Sequence, residues 1–546
     1  MSRVVLSYTI ILNSICLLSL LAGSAHADSL NVSVLHPVGL LVAQAEAAPS
    51  GSSAASMKSK PEEPVPAGVQ ERKIATGNIP VMEYSALGKE RARLLAGMNK
   101  SLTVELPPVE FAGLPVEGGA REKNLSLFDA TALALGYSNE VASSAAHLDM
   151  SDYLATASLG PLLPHVDLRY NSGQEYSNPS ALTKLPLNQR QPYDTHHRTD
   201  SQVFIRQTLM DLPAYFERQR QNLLLKSAEH SLNNIQERVA YDTLVSFMNL
   251  IQLRLSVVIA ENYEVELKKL LEYVSARAEA GGSTQADMQR VKGRVINARS
   301  TVIESRGAYE SGLVEFRRLT GIVPSSIAIP ENLLPMLPKS FEAAMADAAQ
   351  NNQELQAALR DMESVVPERR SMLGKYAPKF DIELSAISTY NAEGIAGSDP
   401  IPNNTIYPEQ NDRRAMLVMS WNLLNGGADR MQSKALESKR LEYEYHAKEI
   451  QRRLEESLRI NFNVLNTVGG RIDGVTQEME SNDLVVAAFN EQLFAANRSL
   501  LDVLDAYQRQ YNSRTELTRL LISEATAGLQ MLRNMGRLQE GIVALH

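Results

Sequence analysis

The segments Pro164-His165-Val166-Asp167-Leu168 and Pro378-Lys379-Phe380-Asp381-Ile382 carry the same pattern twice, 214 residues apart. Each ends a helical stretch and opens one that alternates apolar and polar side chains. Other landmarks keep the spacing: Asp129-Ala130 returns as Glu342-Ala343 after 213 residues, Asn139-Glu140-Val141 as Gln353-Glu354-Leu355 after 214, and Asp287 as Asp502 after 215. An offset held through helix, strand and turn predicts a duplicated structural unit. Two copies of this length do not fit a short-repeat solenoid.

Most of each copy reads as helix. Residues 214–280 contain no Pro and no Gly, and apolar residues recur at spacings of three and four: Leu225, Ala228, Leu232, Ile235, Val239, then Leu244, Met248, Ile251, Leu255. At 1.5 Å per residue such a helix is on the order of 100 Å long. Gly281-Gly282 breaks it, Ser283 or Thr284 caps a return helix from about Gln285 to Leu319, and Gly321 stops that one. The second copy repeats the hairpin: a helix from about Ala428 to Gln492, a break near Ala496-Asn497, and a return from Ser499 to about Leu538. On periodicity alone, an ordinary coiled coil is the preferred reading.

The strand candidates distinguish the two. Phe380, Ile382, Leu384 and Ala386 alternate with Asp381, Glu383 and Ser385, and Ala415, Leu417, Met419, Trp421 and Leu423 alternate with the mostly polar set Arg414, Met416, Val418, Ser420 and Asn422. The first copy offers Val166, Leu168 and Tyr170, then Val203, Ile205 and Leu209. Each segment has about the ten residues that a tilted membrane strand needs. Residues 173–200 and 391–412 read as long polar loops joining each pair. Four strands cannot close a barrel, and open edges are not tolerated in lipid, so each subunit is expected to supply part of a shared wall. A small soluble sheet between helical pairs is the alternative.

Residues 1–27 hold one charge, Arg3, then an apolar run from Tyr8 to Ala22 and a small-residue exit, Ala25-His26-Ala27. This predicts a signal peptide cleaved after Ala27, with a membrane anchor as the alternative. The one cysteine, Cys16, lies inside it, and the residues before Cys16 do not suit a lipid attachment site. The mature chain is therefore expected to lack disulfides and thiol chemistry. Losing Arg3 takes the formal charge from −9 to −10, which argues against a nucleic-acid partner. Beyond the signal, no run of about 18 apolar residues stands out as a transmembrane helix. Residues 28–123 read as a low-complexity tether, most plainly over 43–68.

The order helix, strand, loop, strand, long helical hairpin, twice over, resembles the TolC family of outer-membrane channel-tunnels across roughly residues 125–540. The most specific match is Asn497-Arg498-Ser499-Leu500-Leu501-Asp502-Val503-Leu504-Asp505-Ala506, which is similar to the second hairpin tip of the branch serving type I secretion. Supporting matches are Leu423-Leu424-Asn425-Gly426-Gly427 at a strand-to-helix junction, Pro164 and Pro378 before their strands, and the first tip Gly282-Ser283-Thr284-Gln285-Ala286-Asp287. The resemblance implies a mainly α chain with membrane β structure: an internally duplicated α-helical barrel and a trimeric transmembrane β-barrel with four strands from each protomer. Residues 124–330 would be the first repeat and 331–546 the second, with a periplasmic tip near 493–506. It further implies a homotrimer in the outer membrane with a periplasmic extension, served by a periplasmic adaptor and an inner-membrane transporter of the ABC or proton-driven kind, with no enzymatic activity.

On a helix, Asp502 and Asp505 face the same way, so threefold symmetry would stack them as two carboxylate rings that attract cations. Without the family, two aspartates on a helix read as a solvated face. The resemblance also gives Arg498 a role in tying the closed tip to the first hairpin, with Asp287 a candidate partner. The pattern departs at Leu493, where the family has a gate tyrosine, and at Ala496, where it has glycine. His196-His197 fall in a polar loop without ligands at metal spacing, and no cofactor or metal site is expected. Trp421 and Tyr170 fit an interfacial aromatic belt. Type I protein export, small-molecule efflux and a non-channel periplasmic coiled-coil scaffold remain as functional readings.

Overall fold

Ser126 and Ser340 stand 214 residues apart and cap equivalent helices, accepting hydrogen bonds from the backbone N–H groups of Asp129 (3.1 Å) and Ala343 (3.2 Å). Ser138 and Asn352, at the same spacing, do so for Val141 and Leu355. Different residues thus perform one physical task in each copy, satisfying donors that the first helical turn leaves unpaired.

The computed structural model describes residues 84–99, 101, 103–106, 124–177, 194–332, 337–338, 340–390, 409–493 and 499–539. All of them belong to one compact unit, residues 78–546. The signal peptide, Cys16, the 43–68 stretch and Arg498 lie outside the described residues. Helix α1 (Tyr84–Asn99) and strand β1 (Thr103–Glu105) come first. Helices α2 (Leu127–Tyr137) and α3 (Asn139–Ala157) lead into strands β2 (His165–Ser177) and β3 (Asp194–Met210), then into the hairpin α4 (Leu212–Glu279) and α5 (Gln285–Thr320). After the short strand β4 (Ser326–Ala328) the series repeats: α6 (Phe341–Asn351), α7 (Gln353–Gly374), β5 (Lys379–Tyr390), β6 (Glu409–Ser420), α8 (Ala428–Leu493) and α9 (Leu500–Asn534). The fold is mainly helical.

Helix α4 is the spine of the packing, lying against α3, α5, α7 and α9. Leu244, Phe247, Met248, Leu250, Ile251 and Leu255 are fully buried there, with Phe316 of α5 and Leu517 and Leu529 of α9 in the same core. Phe247 and Phe316 stack at 6.3 Å. This helix also corrects the reading that no helix beyond the signal could span a membrane: by length and composition α4 qualifies. Its apolar stretch is instead taken up by neighbouring helices.

The stretch read as a tether is partly ordered. In α1, Ala92 and Leu95 are buried, and Val104 of β1 is buried in the same core. Strand β1 pairs antiparallel with β4, and Leu125 bridges to Ile327 alongside. The long sheet has the order β2-β3-β5-β6, antiparallel throughout, with a bulge between Thr208 and Met210. Its strands hold 13, 17, 12 and 12 residues, longer than expected. His196 and His197 therefore lie on β3 rather than in a loop, with His196 opposite Glu175 and His197 opposite Gln174. Pairing continues past the point where the apolar alternation stops.

Two carboxylates are buried in the helical wall. Glu237 of α4 is pushed up to about 7 by loss of water, with Arg533 pulling the other way. Glu524 of α9 is likewise pushed up to about 7 by burial, lowered by Arg91 and raised by Asp473. Both hold protons in the folded chain that they release near 4.5 when unfolded. Their stabilising effect is complete below about pH 4.5 and is lost as pH rises towards 7. Thermal stability in detergent should therefore fall between pH 6 and pH 8, each group contributing on the order of 1 kcal/mol over that interval. Glu524→Gln should flatten the dependence, and melting curves with the wild-type slope would exclude this account.

Candidate functional site

The register of the sheet sorts its side chains onto two faces. Paired residues point the same way, so Val166, Ile205, Leu384 and Ala415 form one row across the sheet, and Gln207, Ile382 and Leu417 another. Leu168 and Leu417 on this face are 82% and 68% exposed. The opposite face carries His165, Arg206, Glu383 and Met416 in one row, then Asp167, Phe204, Ser385 and Arg414, then Arg169, Gln202, Ile387 and Asp412. Arg206 Nε donates to Glu383 Oε1 at 2.9 Å. One side of a single layer is greasy up to the row of Leu168, Val203 and Ala386, where Arg413 joins it, and the other carries compensated charge.

Aromatic residues mark both ends of the greasy side. Trp421 follows Ser420, which pairs with Lys379, and Tyr170 is in register with Ser201 and Ser388. About ten residues separate the two levels, roughly 33 Å along a strand at ~3.3 Å per residue. At a tilt of ~40° that is about 25 Å of height, the thickness of an outer-membrane apolar band. Trp421 Nε1 donates to the carbonyl of Tyr376 at 2.9 Å, fixing the ring at the helical end.

Below the sheet, the strands turn into the long helices by different means in the two copies. In the first, Asp211 accepts from Ala214 N–H at 3.0 Å, and Lys379 pairs with Asp211 at 3.2 Å. In the second, Gly426 and Gly427 take φ values of +54° and +78°, open to glycine and costly for other residues. Pro164 and Pro378 stand immediately before β2 and β5, where the missing N–H removes no ladder bond.

At the first tip, Gly281 adopts φ +75°, and Thr284 Oγ1 accepts from Asp287 N–H at 3.1 Å while donating to Asp287 Oδ2 at 2.7 Å. Asp287 also lies 3.5 Å from Arg290. Its carboxylate is thus engaged within its own turn. A bond to Arg498 is outside what the structure describes, as are Ala496 and the side chain of Leu493.

At the second tip, α9 buries Val503, Leu504, Ala506 and Tyr507 against Leu267, Leu270, Val274, Val291 and Val486. That packing turns Asp502 and Asp505 outward together. The structure adds a neighbour that the sequence reading overlooked: Arg509, one turn on, bonds Asp505 at 2.5 Å with both side chains exposed. Among the described residues no cation pairs with Asp502. Two further bonds were also missed. Tyr263 of α4 donates to Gln508 of α9 at 2.9 Å, joining the two hairpins, and Tyr507 donates to Asn490 at 2.6 Å. The i,i+4 spacing of Asp505 and Arg509 was readable locally, whereas the Tyr263 bond required the packing of hairpins far apart in sequence and the Tyr507 bond the pairing of the two limbs of one hairpin.

No family model matches the chain. It is 22% identical over 393 residues to the alkaline protease secretion protein AprF of Pseudomonas aeruginosa, covering 70% of this chain and 79% of that protein. It is 19% identical over 415 residues to the outer membrane protein TolC of Escherichia coli, covering 73% and 80%. Among solved structures, the outer-membrane channel CmeC of Campylobacter jejuni superposes with a TM-score of 0.62 at 12% identity, over 80% of this chain and 95% of that one. By sequence and by fold, the chain resembles the TolC family of outer-membrane channels. Both TolC and CmeC are outer-membrane proteins by name, and the likeness extends to the strands as well as to the long helices.

The junction glycines give a direct test of this geometry. Gly427→Ala should destabilise the TolC-family fold by about 1–2 kcal/mol, because alanine resists a positive φ. Gly470→Ala, inside α8 with nothing within 4 Å of an added methyl, should instead stabilise it by roughly 0.5–1 kcal/mol. Melting temperatures that shift the same way for both variants would contradict the assignment.

Proposed function

We propose that three copies of this chain assemble into one channel, each giving four strands to a twelve-stranded barrel and its hairpins to a continuous helical tunnel. The single observation that carries this reading is the sheet itself. It is apolar on one face and charged on the other, and β2 and β6 have no strand partner at its edges among the described residues. An unpaired edge in lipid leaves backbone donors and acceptors with no water to meet them. Because β2 and β6 run in opposite directions, the β6 edge of one copy can pair antiparallel with the β2 edge of the next.

In this reading the channel is the passive outer-membrane part of a tripartite export system, working with a periplasmic adaptor and an inner-membrane transporter that supplies the energy. Type I protein secretion is the favoured role. The hairpin-tip sequence from Asn497 to Ala506 supports it, as does the likeness to AprF, a protein named for protease secretion. The tip is the gate: Asp502 forms the ring with uncompensated charge, Asp505 forms a second ring partly offset by Arg509, and Arg498 and Asp287 belong to the closing contacts. Adaptor contact would shift the population towards an open tip.

Purified protein in a planar bilayer should conduct, prefer cations, and be blocked by divalent ions from the tip side. Asp502→Ala should weaken that block roughly tenfold or more, and Asp505→Ala should do so less, since Arg509 already offsets its charge. Equal effects of the two variants, or none, would reject the ring assignment. A detergent-solubilised mass of one protomer would reject the assembly.

A further inference from the structure

Helix α1 packs across the second hairpin and against the first, and we propose that it is an internal strap that must loosen before α9 can move away from α8 and α4. The proposal rests on the gated-channel reading above and adds a regulatory part to it. Arg91 is the anchor: only 3% exposed, it donates from Nη2 to Asp473 Oδ1 of α8 at 2.8 Å, and its Nε lies 3.5 Å from Glu524 of α9. One guanidinium is therefore bonded to α8 and lies beside α9, spanning both limbs of the second hairpin. Leu95, fully buried, packs one turn along, and Met98 approaches Thr518 of α9 at 3.5 Å. Further towards the tip, the end of α1 borders a cleft shared with Tyr263 of α4, Asp483 of α8 and Arg514 of α9.

The side of α9 that meets the strap is the informative one. At 100° per residue, Tyr511, Arg514 and Thr518 lie about half a turn around the helix from Asp502, Asp505 and Arg509. If the aspartates face the bore, the strap lies on the outside of the wall and leaves the conduit open. Any shift of α9 relative to α8 or α4 must then unseat Arg91 or slide Leu95 out of its socket. A helix seated on three partners is bistable in this sense, because packed contacts either hold or separate.

The test uses the full chain with Cys16→Ser, so that introduced thiols stand alone. Met98→Cys and Thr518→Cys are joined by a short reducible bis-thiol reagent, and cross-linking is verified by electrophoresis. Open probability in a planar bilayer should fall roughly tenfold when the strap is tethered and recover on reduction. Unchanged gating of verified cross-linked protein would overturn the strap. If no variant conducts even after reduction, the channel reading fails separately, and amide hydrogen exchange of residues 500–514 then decides the strap. Exchange roughly tenfold slower in the cross-linked form supports it, and equal exchange overturns it. Arg91→Met should act in the opposite direction, raising both open probability and exchange.

Discussion

A strand in lipid must find partners for its backbone on both sides, and the rest of this structure follows from that requirement. Four strands satisfy it internally at three seams and leave two edges, β2 and β6, that no described part of the chain covers. The matching of faces across every seam means that a second copy could extend the sheet with its mainly apolar side continuous, Arg413 at one end of that side excepted. Main-chain satisfaction sets the requirement for assembly, and the side chains decide which way the wall faces.

The helical part obeys a different rule. Water is available there, so the constraint is burial of the long apolar seam of α4, which no partner helix could cover alone. Helices α2, α3, α5, α7 and α9 share it. The wall also tolerates Glu237 and Glu524 at its centre, each opposed by one arginine, Arg533 and Arg91. Buried groups of this kind add little to stability, and they specify which helix may sit where.

Much of this was legible in the sequence because it is local. Pro164 and Pro378 announce strands, Gly281 and Gly321 end helices, and the 214-residue spacing is visible by eye. The limits of the hairpins followed from caps and breakers within a residue or two, except that α9 ends at Asn534, four residues before the expected Leu538. Strand length was underestimated because the alternation that signals a strand requires one face in lipid. Where both faces are wet the alternation fades, yet the ladder from Gly173 to Ser177 continues, with Arg198 of β3 pairing with Glu175 of β2 at 2.9 Å. Helix α1 was read as tether for a related reason: its buried anchor is Arg91, a residue that looks solvent-seeking until Asp473, 382 positions away, comes beside it. At the tip, the carboxylates were placed correctly on one face, while Arg509 and Tyr263 changed what that face presents.

The two copies differ most where strand gives way to helix. One passes through a bulge and a capped, ion-paired turn at Asp211, and the other through two consecutive glycines with left-handed torsions. The first junction is thus braced at the turn itself, whereas the second pivots on its glycines and is tied one turn later, where Lys375 lies 3.5 Å from Asp429 of α8. A bending load passing from helix to strand would meet a stiff hinge in one repeat and a more compliant one in the other.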